Sequence, residues 1–431
     1  MVSPRRRTTC RACGHAGFAP VLSLGTQSLT SFPLPGQPTR RGPLEAVLCK
    51  RCKLFQMRWT YPGSWLYSWY GYRSGVNPIM VRALRDMAER VVELARPQPG
   101  TGWSKLCGMQ WVLDIGSNDG TYLRMMPEGV GRVGFEPARN LQPQAREGLT
   151  LLVDDYFSVS PLRKWISGYG KAKVVTALAM FYDLDRPAAF LRDVARVLRE
   201  DGVLVIQMNY LPAVLRDCAV DNLSHEHVTI YSLSTLLPVL QAAGFSAWDA
   251  EENDVNGGSF RIWCRPAAFS GPYDPHDAAW AASGRVRIQE MLDREAAQGV
   301  GRLDTYVAWA RRVVSARNAI RAGVLDRAKA GKIIYALGAS TRGLVLLEYC
   351  GLGRDIICGA SERNPDKWGR TYGGTGIPCV PEAEAREKAD CMLVLPWHFL
   401  PEITVRERSF LGRGGELLVP LPVFRSIRGG P

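Results

Sequence analysis

Four of the eleven cysteines stand in two pairs whose spacing suits a metal site. Cys10 and Cys13 form one Cys-x-x-Cys pair, and Cys49 and Cys52 form the other. A tight turn brings the two thiolates of each pair to one side of a zinc ion, so two turns complete a tetrahedron. Because four thiolates leave no position open for water, the predicted zinc is structural. A coincidental pair of dithiols is the alternative, and the other seven cysteines are interpreted as reduced thiols.

A glycine-containing turn flanked by acidic residues predicts S-adenosylmethionine as the cofactor. Asp114 ends a predicted strand, the turn runs to Gly120, and Glu136 ends the next strand. The turn lacks the G-x-G-x-x-G pattern of a dinucleotide site. Asp114 would lie near a cationic ligand, and Glu136 would accept hydrogen bonds from two ribose hydroxyls. A plain strand-to-helix turn is the alternative. The predicted cofactor-binding residues are Asp114, Gly116, Ser117, Asn118, Gly120, Glu136, and Asp155 and Tyr156 for the adenine.

Two of the five histidines lie together in the segment Ser224–Ser232, which reads Ser-His-Glu-His-Val-Thr-Ile-Tyr-Ser. The histidines are two residues apart, so the segment is not a His-Glu-x-x-His zinc helix. It follows a predicted strand and therefore lies near the carboxyl edge of the sheet, where such folds bind ligands. A histidine beside a glutamate can act as a base near neutral pH. A capping and hydrogen-bonding cluster is the alternative, and His398 and His15 are interpreted as structural.

Two further segments carry candidate substrate-binding groups. Hydroxyls of Tyr70–Ser74 could orient a sugar or an enolate oxygen, although core packing is an equal alternative for each tyrosine. In the loop Gly338–Gly343, Ser340, Thr341 and Arg342 could bind a phosphate at the start of a helix. A plain tight turn is weighed evenly against this interpretation.

Strands that alternate with helices surround these residues and predict parallel, doubly wound sheets. We divide the chain into a zinc-binding domain at 1–72, a methyl-donor domain at 73–268 and a second Rossmann-like α/β domain at 269–431. Prolines between the two cysteine pairs predict little regular structure there. The predicted strands of the second and third domains are Trp111–Ile115, Gly134–Glu136, Leu151–Val153, Val174–Leu178, Val203–Met208, Ile333–Gly338, Ile356–Ala360, Met392–Leu395 and Glu416–Val419. The predicted helices are Pro78–Arg96, Pro187–Arg199, Leu233–Ala243 and Leu344–Tyr349.

Composition excludes several classes of protein. The chain has 431 residues, 46% hydrophobic and 22% charged, which are ordinary values for a globular protein of two or three domains. No apolar run approaches 18 residues and no secretory signal is evident, so we expect a cytoplasmic protein that does not enter membranes. The net charge of +13 raises the alternative of an RNA methyltransferase or another nucleic-acid-binding protein. Since the basic residues are scattered without a Lys/Arg-rich block, we expect no nucleic-acid partner.

In combination, these motifs resemble the zinc-containing C-methyltransferases that act on nucleotide-linked 4-keto-deoxysugars in antibiotic biosynthesis. The resemblance covers nearly the whole chain. It is carried by the two cysteine pairs and by Tyr70–Ser74, Asp114–Gly120, Ser224–Ser232, Asn256–Arg261, Glu362–Gly369 and Pro396–Phe399. The chain departs from the family pattern at Ser224, where the family has tyrosine, and near Tyr182, where sugar enzymes often carry histidine.

The resemblance implies a class I methyltransferase domain between a zinc domain and a C-terminal domain that helps to bind substrate. It implies methylation of the carbon beside the ketone, usually C-3, of a dTDP-linked sugar, by a monomer. His227 matches the base, Glu226 supports it, and Tyr72 lies near the reacting sugar. His225 and Tyr182 complete the predicted catalytic group, and the predicted substrate-binding residues are Tyr70, Ser224, Ser340, Thr341 and Arg342. Methylation of another atom of a different natural-product intermediate stays open.

Overall fold

The computed structural model describes residues 3–29, 31–95, 110–269 and 275–429. Its strands form four sheets, two of which have seven strands each. Among the described residues, no helix combines the length and the apolar character that crossing a membrane requires. Of the seven cysteines predicted to be reduced thiols, the six in the described residues form no disulfide, and Cys107 lies outside the described residues. The helices are Gly63–Leu66, Pro78–Ala95, Gln142–Arg146, Arg163–Tyr169, Pro187–Val197, Leu211–Arg216, Leu233–Ala242, Pro275–Ala297, Leu303–Lys329, Thr341–Cys350, Glu382–Lys388, Leu400–Arg406 and Arg408–Gly412.

The segment between the cysteine pairs forms a sheet, so the prediction of little regular structure there is wrong. Strand Phe18–Ser28 pairs antiparallel with Arg41–Cys49, which pairs with Phe55–Met57. Prolines fall mainly in the connection between the first two strands, where no ladder hydrogen bond is lost. The fourth strand of this sheet, Thr229–Ile230, comes from the His-Glu-His segment. A separate pair joins Arg5–Arg6 to Trp59–Thr60.

The middle sheet has the strand order of a class I methyltransferase. Counted across the sheet, the first five strands are parallel to one another. The sixth strand is antiparallel to them, and the seventh, at the edge, again runs parallel to the first five. The order across the sheet is Leu151–Val153, Gly131–Phe135, Trp111–Ile115, Ala172–Leu178, Leu198–Asn209, Ser259–Pro266 and Phe245–Asn253. Nearly continuous apolar runs form the buried parallel strands, as expected when helices cover both faces.

The C-terminal sheet is a second open α/β sheet with five parallel strands and an antiparallel strand at each edge. Its order is Thr371–Tyr372, Ile377–Pro381, Gly359–Glu362, Ile334–Leu337, Cys391–Val394, Glu416–Val419 and Arg425–Arg428. The strand expected at Ile356–Ala360 begins later, at Gly359. The predicted class of fold is thus confirmed for both sheets.

Several predicted helix boundaries hold to within one or two residues. Ser232 caps the helix that follows the His-Glu-His segment, because its Oγ accepts from the amide of Thr235 at 3.3 Å. The helix that begins at Pro187 ends at Val197, two residues before its predicted end. Helix Pro78–Ala95 matches its prediction up to Arg96, which lies outside the described residues.

One hydrophobic core joins the N-terminal sheet to the C-terminal half of the chain. Phe55 of the small sheet packs edge-on against Trp309 with ring centroids 5.7 Å apart, and it also contacts Tyr306 at 5.2 Å. Both partners lie on helix Leu303–Lys329. The same core continues to Leu344 on the first helix of the C-terminal sheet. This shared core fixes the carboxyl edges of the two large sheets around one cavity.

Helix Pro275–Ala297 approaches the middle sheet so closely that Gly284 has no room for a side chain. A Cβ there would lie 2.2 Å from the carbonyl oxygen of Trp248 and 2.8 Å from Cβ of Asp249. We expect Gly284→Ala to destabilise the protein by about 1–3 kcal/mol through overpacking. Gly168→Ala, in helix Arg163–Tyr169 with nothing within 4 Å, should be neutral or stabilising by up to about 1 kcal/mol. Thermal unfolding midpoints of both variants check this, and a melting point for Gly284→Ala at or above wild type would contradict it.

Candidate functional site

The four predicted metal ligands meet at one point. Sγ of Cys10 lies 3.6 Å from Sγ of Cys52, and Sγ of Cys13 lies 3.6 Å from Sγ of Cys49. All four sulfurs lie within 4.8 Å of one another. A tetrahedral zinc with Zn–S bonds of about 2.3 Å needs sulfurs about 3.8 Å apart, so the cluster fits the ion. The buried amide of Gln56 donates to Sγ of Cys10 at 3.1 Å, which stabilises a thiolate there.

The zinc segment is tied to the cavity through Arg11. Arg11 lies in the turn between Cys10 and Cys13, and its side chain is buried. Its Nε lies 3.2 Å from Oδ1 of Asp185. Burial lowers the pKa of Arg11 to about 10, and the charge of Asp185 opposes this shift. Arg7 and Thr60 also bind Asp185, at 2.9 and 2.8 Å. Asp185 lies two residues after Asp183, which lines the cavity, so the zinc segment positions that edge of the site.

A cavity of about 520 Å³ lies at the carboxyl edges of the two large sheets. Loops of the middle sheet form one side, loops of the C-terminal sheet form the other, and Tyr67–Ser74 covers the opening between them. Of the predicted site residues, those that line it are Asp114, Gly116, Ser117, Asn118, Glu136, Asp155, Tyr156, Tyr70, Tyr72, Tyr182, Glu226, His227, Ser340, Thr341 and Arg342. His225, Ser224, Gly120 and the four cysteines do not.

Asp114 lies at the end of its strand, buried beneath the glycine turn. Its carboxylate accepts a hydrogen bond from Oγ1 of Thr176 at 2.6 Å. Burial raises the pKa of Asp114 to about 7, and the threonine hydroxyl opposes that shift. Gly116 follows with φ of +77°, and a Cβ there would contact Met180 across the cavity. A cation such as a sulfonium or an ammonium group would stabilise the ionised form of this carboxylate.

Glu136 is held at the end of the neighbouring strand by two main-chain amides. Asn118 N donates to Oε2 at 2.8 Å and Ala138 N donates to Oε1 at 2.7 Å. Burial raises the pKa of Glu136 to about 7, against the effect of these two amides. Asp155 and Tyr156 lie beside it, so the acidic groups and the glycine turn fit S-adenosylmethionine as the sequence predicts. Gly120 acts locally, because a Cβ there would lie 2.9 Å from the carbonyl oxygen of Ala145.

The C-terminal sheet has a glutamate, Glu362, in the same arrangement as Glu136, but a lysine compensates its charge. Glu362 accepts from Ala339 N at 3.1 Å and from Asn364 N at 2.9 Å, as Glu136 does from its own loops. Here, however, Nζ of the buried Lys367 also lies 3.1 Å from Glu362. The charge of Glu362 is therefore compensated by Lys367, which favours the middle sheet as the cofactor site.

His227 has a ring orientation that suits a base. Its Nδ1 lies 2.9 Å from the carbonyl oxygen of Asn222. A carbonyl only accepts hydrogen bonds, so Nδ1 carries the proton and Nε2 keeps its lone pair. Burial, with a smaller effect of the charge on Arg342, lowers the pKa of His227 to about 4, so the ring is neutral at pH 7. The ring of Tyr182 packs edge-on against it at 4.4 Å.

Glu226 contacts hydroxyls from both sides of the cavity. Its Oε2 lies 3.5 Å from the hydroxyl of Tyr70 and 3.4 Å from Oγ1 of Thr341. Burial raises the pKa of Tyr70 and of Tyr182 well above the ordinary value, so both hydroxyls stay protonated and able to donate. Tyr72 lines the entrance and is 40% exposed.

His225 and Ser224 serve the local structure. Nε2 of His225 lies 3.1 Å from the carbonyl oxygen of Gly42, and its ring packs on Tyr61 at 4.7 Å. Oγ of Ser224 accepts from the amide of His227 at 3.1 Å, which fixes the turn of the segment. His225 therefore points to the N-terminal sheet and does not line the cavity, so its predicted catalytic role is not supported.

The loop Gly338–Gly343 is a capped helix start in which the amides of Ala339, Ser340 and Gly343 are already bonded. Ser340 N donates to the hydroxyl of Tyr372 at 2.8 Å, and Oγ of Ser340 accepts from Gly343 N at 3.1 Å. Arg342 is paired with Asp221, with Nε 2.8 Å from Oδ2. The tight-turn interpretation thus describes this loop better than a phosphate site does.

Asp183 and His398 are among the cavity residues that were not predicted as site residues. Asp183 is half-buried, and its buried Oδ1 has no hydrogen-bond partner in the described part of the chain. Burial and the charge of Glu226 raise the pKa of Asp183 well above its ordinary value. His398, interpreted as structural, also lines the cavity, and burial lowers its pKa well below the ordinary value. The position of Asp183 just after the fourth strand's carboxyl end was the signal that could have identified it.

Comparisons with known proteins agree with this geometry. A family model described as a C-methyltransferase C-terminal domain matches residues 254–422, a methyltransferase domain model matches 81–250, and a zinc binding domain model matches 10–67. The chain is 30% identical over 424 residues to C-methyltransferase NovU of Streptomyces niveus, which covers 97% of this chain and 96% of that protein.

Similarity to solved structures is weaker. Mitomycin 7-O-methyltransferase MmcR is 17% identical over 44% of this chain and 54% of its own length, with a TM-score of 0.31. The CcbJ methyltransferase of Streptomyces caelestis is 16% identical over 43% of this chain and 90% of its own, with a TM-score of 0.32. The strand order and the family models therefore define the fold here.

The fold and the site define an S-adenosylmethionine-dependent C-methyltransferase with a structural zinc ion. Both predicted cofactors are thereby confirmed. The chain belongs to the family of zinc-containing sugar C-methyltransferases, as its sequence motifs indicated.

Removing one zinc ligand should empty the metal site. We expect Cys49→Ser to reduce the zinc content from one ion per chain to nearly none and to lower the melting temperature, because metal binding stabilises the folded segment. Cys264→Ser, equally buried but distant from the cluster, should keep its zinc. Elemental analysis of the purified proteins checks this, and a stoichiometric zinc ion in Cys49→Ser would contradict it.

The pKa of about 7 for Asp114 predicts that affinity for S-adenosylmethionine depends on pH. The ionised carboxylate favours the cationic ligand, so affinity should rise by about tenfold between pH 5.5 and 7 as Asp114 loses its proton. Asp114→Asn should bind more weakly and lose part of this dependence, and the part that remains comes from Glu136, whose pKa is also about 7. Titration calorimetry at several pH values measures it. A wild-type affinity that is constant over this range would contradict the assignment.

Proposed function

We propose that this enzyme methylates the carbon next to the ketone of a nucleotide-linked 4-keto-deoxysugar, most simply C-3 of a dTDP-sugar. The observation that carries the proposal is the hydrogen bond from Nδ1 of His227 to the carbonyl of Asn222, which leaves Nε2 free as a base beside the cofactor residues.

We further propose that the chain has three domains, at 1–72, 73–268 and 269–431. We propose that the enzyme is a monomer that acts in the cytoplasm on a small molecule rather than on RNA.

The base step follows from the ring orientation. A ketone acidifies the adjacent C–H bond, and Nε2 of His227 accepts that proton to give an imidazolium ion and an enolate. Nδ1 stays bonded to the carbonyl of Asn222 throughout, so the ring does not turn as it becomes charged. When bound, S-adenosylmethionine supplies an electrophilic methyl carbon that the enolate carbon attacks as the carbon–sulfur bond breaks.

Hydroxyls on both sides of the cavity support the enolate oxygen. Tyr70 and Tyr182 stay protonated, and Thr341 adds a hydroxyl from the C-terminal side. Donors fixed in a buried site stabilise a developing oxyanion more strongly than water does. Tyr70 and Thr341 each donate their one hydroxyl proton to Glu226 over long contacts of 3.5 and 3.4 Å, so each would turn that proton from Glu226 to the enolate oxygen when the acceptor binds.

The acceptor's charge is matched by arginines farther along the cavity. Arg73, Arg363 and Arg406 line its C-terminal part. Guanidinium groups suit a diphosphate, but Arg363 and Arg406 would have to give up part of their ion pairs with Glu382 and Glu402 to bind one. The ion pair of Arg73 is the most accessible of the three. Its guanidinium lies 3.2 Å from Asp366, and the side chain of Asp366 is half-exposed. These residues, and not the loop Gly338–Gly343, are the proposed contacts for the nucleotide.

Replacing His227 tests the base directly. His227→Gln keeps a donor for the Asn222 carbonyl but cannot accept a proton, so we expect kcat to fall by about 10²–10⁴-fold. Affinity for S-adenosylmethionine should not change. His225→Gln is the matched control and should retain methyl transfer, because His225 bonds to Gly42 outside the cavity.

The measurement is mass spectrometry of products formed from a panel of 4-keto nucleotide sugars. Undiminished turnover in His227→Gln would contradict the base assignment, and loss in His398→Gln alone would move it to His398. Methyl transfer to oxygen or nitrogen of the acceptor would overturn carbon methylation itself.

A further inference from the structure

A buried ion pair joins the C-terminal half of the chain to the segment that holds His227. Asp221 lies in a short 3-10 helix, Val220–Asn222, and is 1% exposed. Its Oδ2 lies 2.8 Å from Nε and 2.7 Å from the second terminal nitrogen of Arg342. The indole N–H of Trp397 donates to the same oxygen at 3.1 Å. Arg342 and Trp397 follow two neighbouring strands of the C-terminal sheet.

The residue next to Asp221 is the one that sets the tautomer of His227. The carbonyl of Asn222 accepts from Nδ1 of His227 at 2.9 Å. The side chain of Asn222 is also fixed, because its Oδ1 accepts from Asn209 at 2.5 Å and its Nδ2 donates to Ala219 at 3.3 Å. All of these atoms are buried, so a shift of the 3-10 helix would move the imidazole with it.

The guanidinium of Arg342 is held by two contacts, although its second terminal nitrogen makes no well-aligned hydrogen bond to any described residue. Besides Asp221, its first terminal nitrogen donates to the carbonyl of Asn256 at 2.5 Å, in the turn between the last two strands of the middle sheet. Burying an ion pair costs solvation free energy that its attraction often only balances, so such a pair serves geometry more than stability.

We propose that Arg342, Asp221 and Trp397 form a clamp through which the C-terminal half positions Asn222 and so holds His227 with its proton on Nδ1. Asp221 and Trp397 are positioning residues because neither lines the cavity. Arg342 does line the cavity, and in the clamp it acts through Asp221. The inference rests on the proposed role of His227 as the base. It assigns to the C-terminal half a part in proton transfer in addition to substrate binding.

The clamp is tested by the tautomer and the kinetics of His227 together. In protein labelled with ¹⁵N-histidine, the wild-type His227 signals, identified by their loss in His227→Gln, should show a single Nδ1–H tautomer. Asp221→Asn and Trp397→Phe should give a mixture of tautomers and a kcat lowered by about 10- to 100-fold, as expected for a misplaced catalytic group. Affinity for S-adenosylmethionine and KM for the acceptor should change little.

The matched control removes a comparable ion pair elsewhere. Glu416 has a side chain 7% exposed and lies 2.8 Å from Arg327, away from the cavity. Glu416→Gln should lower the melting temperature yet leave the tautomer and kcat of the wild type. If Asp221→Asn does not fold, Trp397→Phe and Arg342→Lys carry the test, since each keeps the buried carboxylate and most of the packing.

Three outcomes are separable. A pure Nδ1–H signal with unchanged kcat in the folded variants would overturn the clamp. A raised acceptor KM with unchanged kcat in Arg342→Lys would make Arg342 a phosphate ligand and also overturn it. Full activity of His227→Gln would instead refute the proposed base, while the NMR signals would still decide whether the clamp fixes the ring.

Discussion

The hydrogen bond between Nδ1 of His227 and the carbonyl of Asn222 is the constraint on which the chemistry depends. An imidazole in water exchanges its proton between two nitrogens, but a fixed carbonyl acceptor allows only one arrangement. Burial lowers the pKa of the ring to about 4, which keeps it neutral at physiological pH but weakens it as a base. Acidification of the substrate C–H by its ketone, and donors for the enolate oxygen, must therefore supply the remaining driving force.

Three parts of the chain contribute to this one site, and the packing explains why. The N-terminal sheet takes its fourth strand from the segment after His227, and Arg11 ties the zinc cluster to Asp185 beside the cavity. The C-terminal sheet supplies Thr341 and Arg342 and shares a core with the N-terminal sheet through Phe55 and Trp309. A structural zinc remote from the reaction can thus still matter to activity, because it stabilises a wall of the site.

Much of the fold was predictable, because buried parallel strands are nearly continuous apolar runs and their connecting helices carry recognisable caps. The four cysteines and the Asp114–Glu136 pair were predictable from spacing alone, since strand ends converge at one sheet edge. The N-terminal sheet was missed because its prolines suggested a loop. Sequence could not decide which histidine faces the cavity, nor that Arg342 pairs with Asp221, because such pairings depend on contacts between residues far apart in the chain.

The most direct measurement of the central claim is exchange of the acceptor's acidic hydrogen with solvent when no methyl group can be transferred. The enzyme would be incubated in D₂O with a 4-keto nucleotide sugar and S-adenosylhomocysteine, and the hydrogen beside the ketone followed by proton NMR. The account predicts that this one signal disappears with wild-type enzyme and persists when His227 is glutamine. Persistence of the signal with active wild-type enzyme, or equal loss with both proteins, would contradict proton removal by His227.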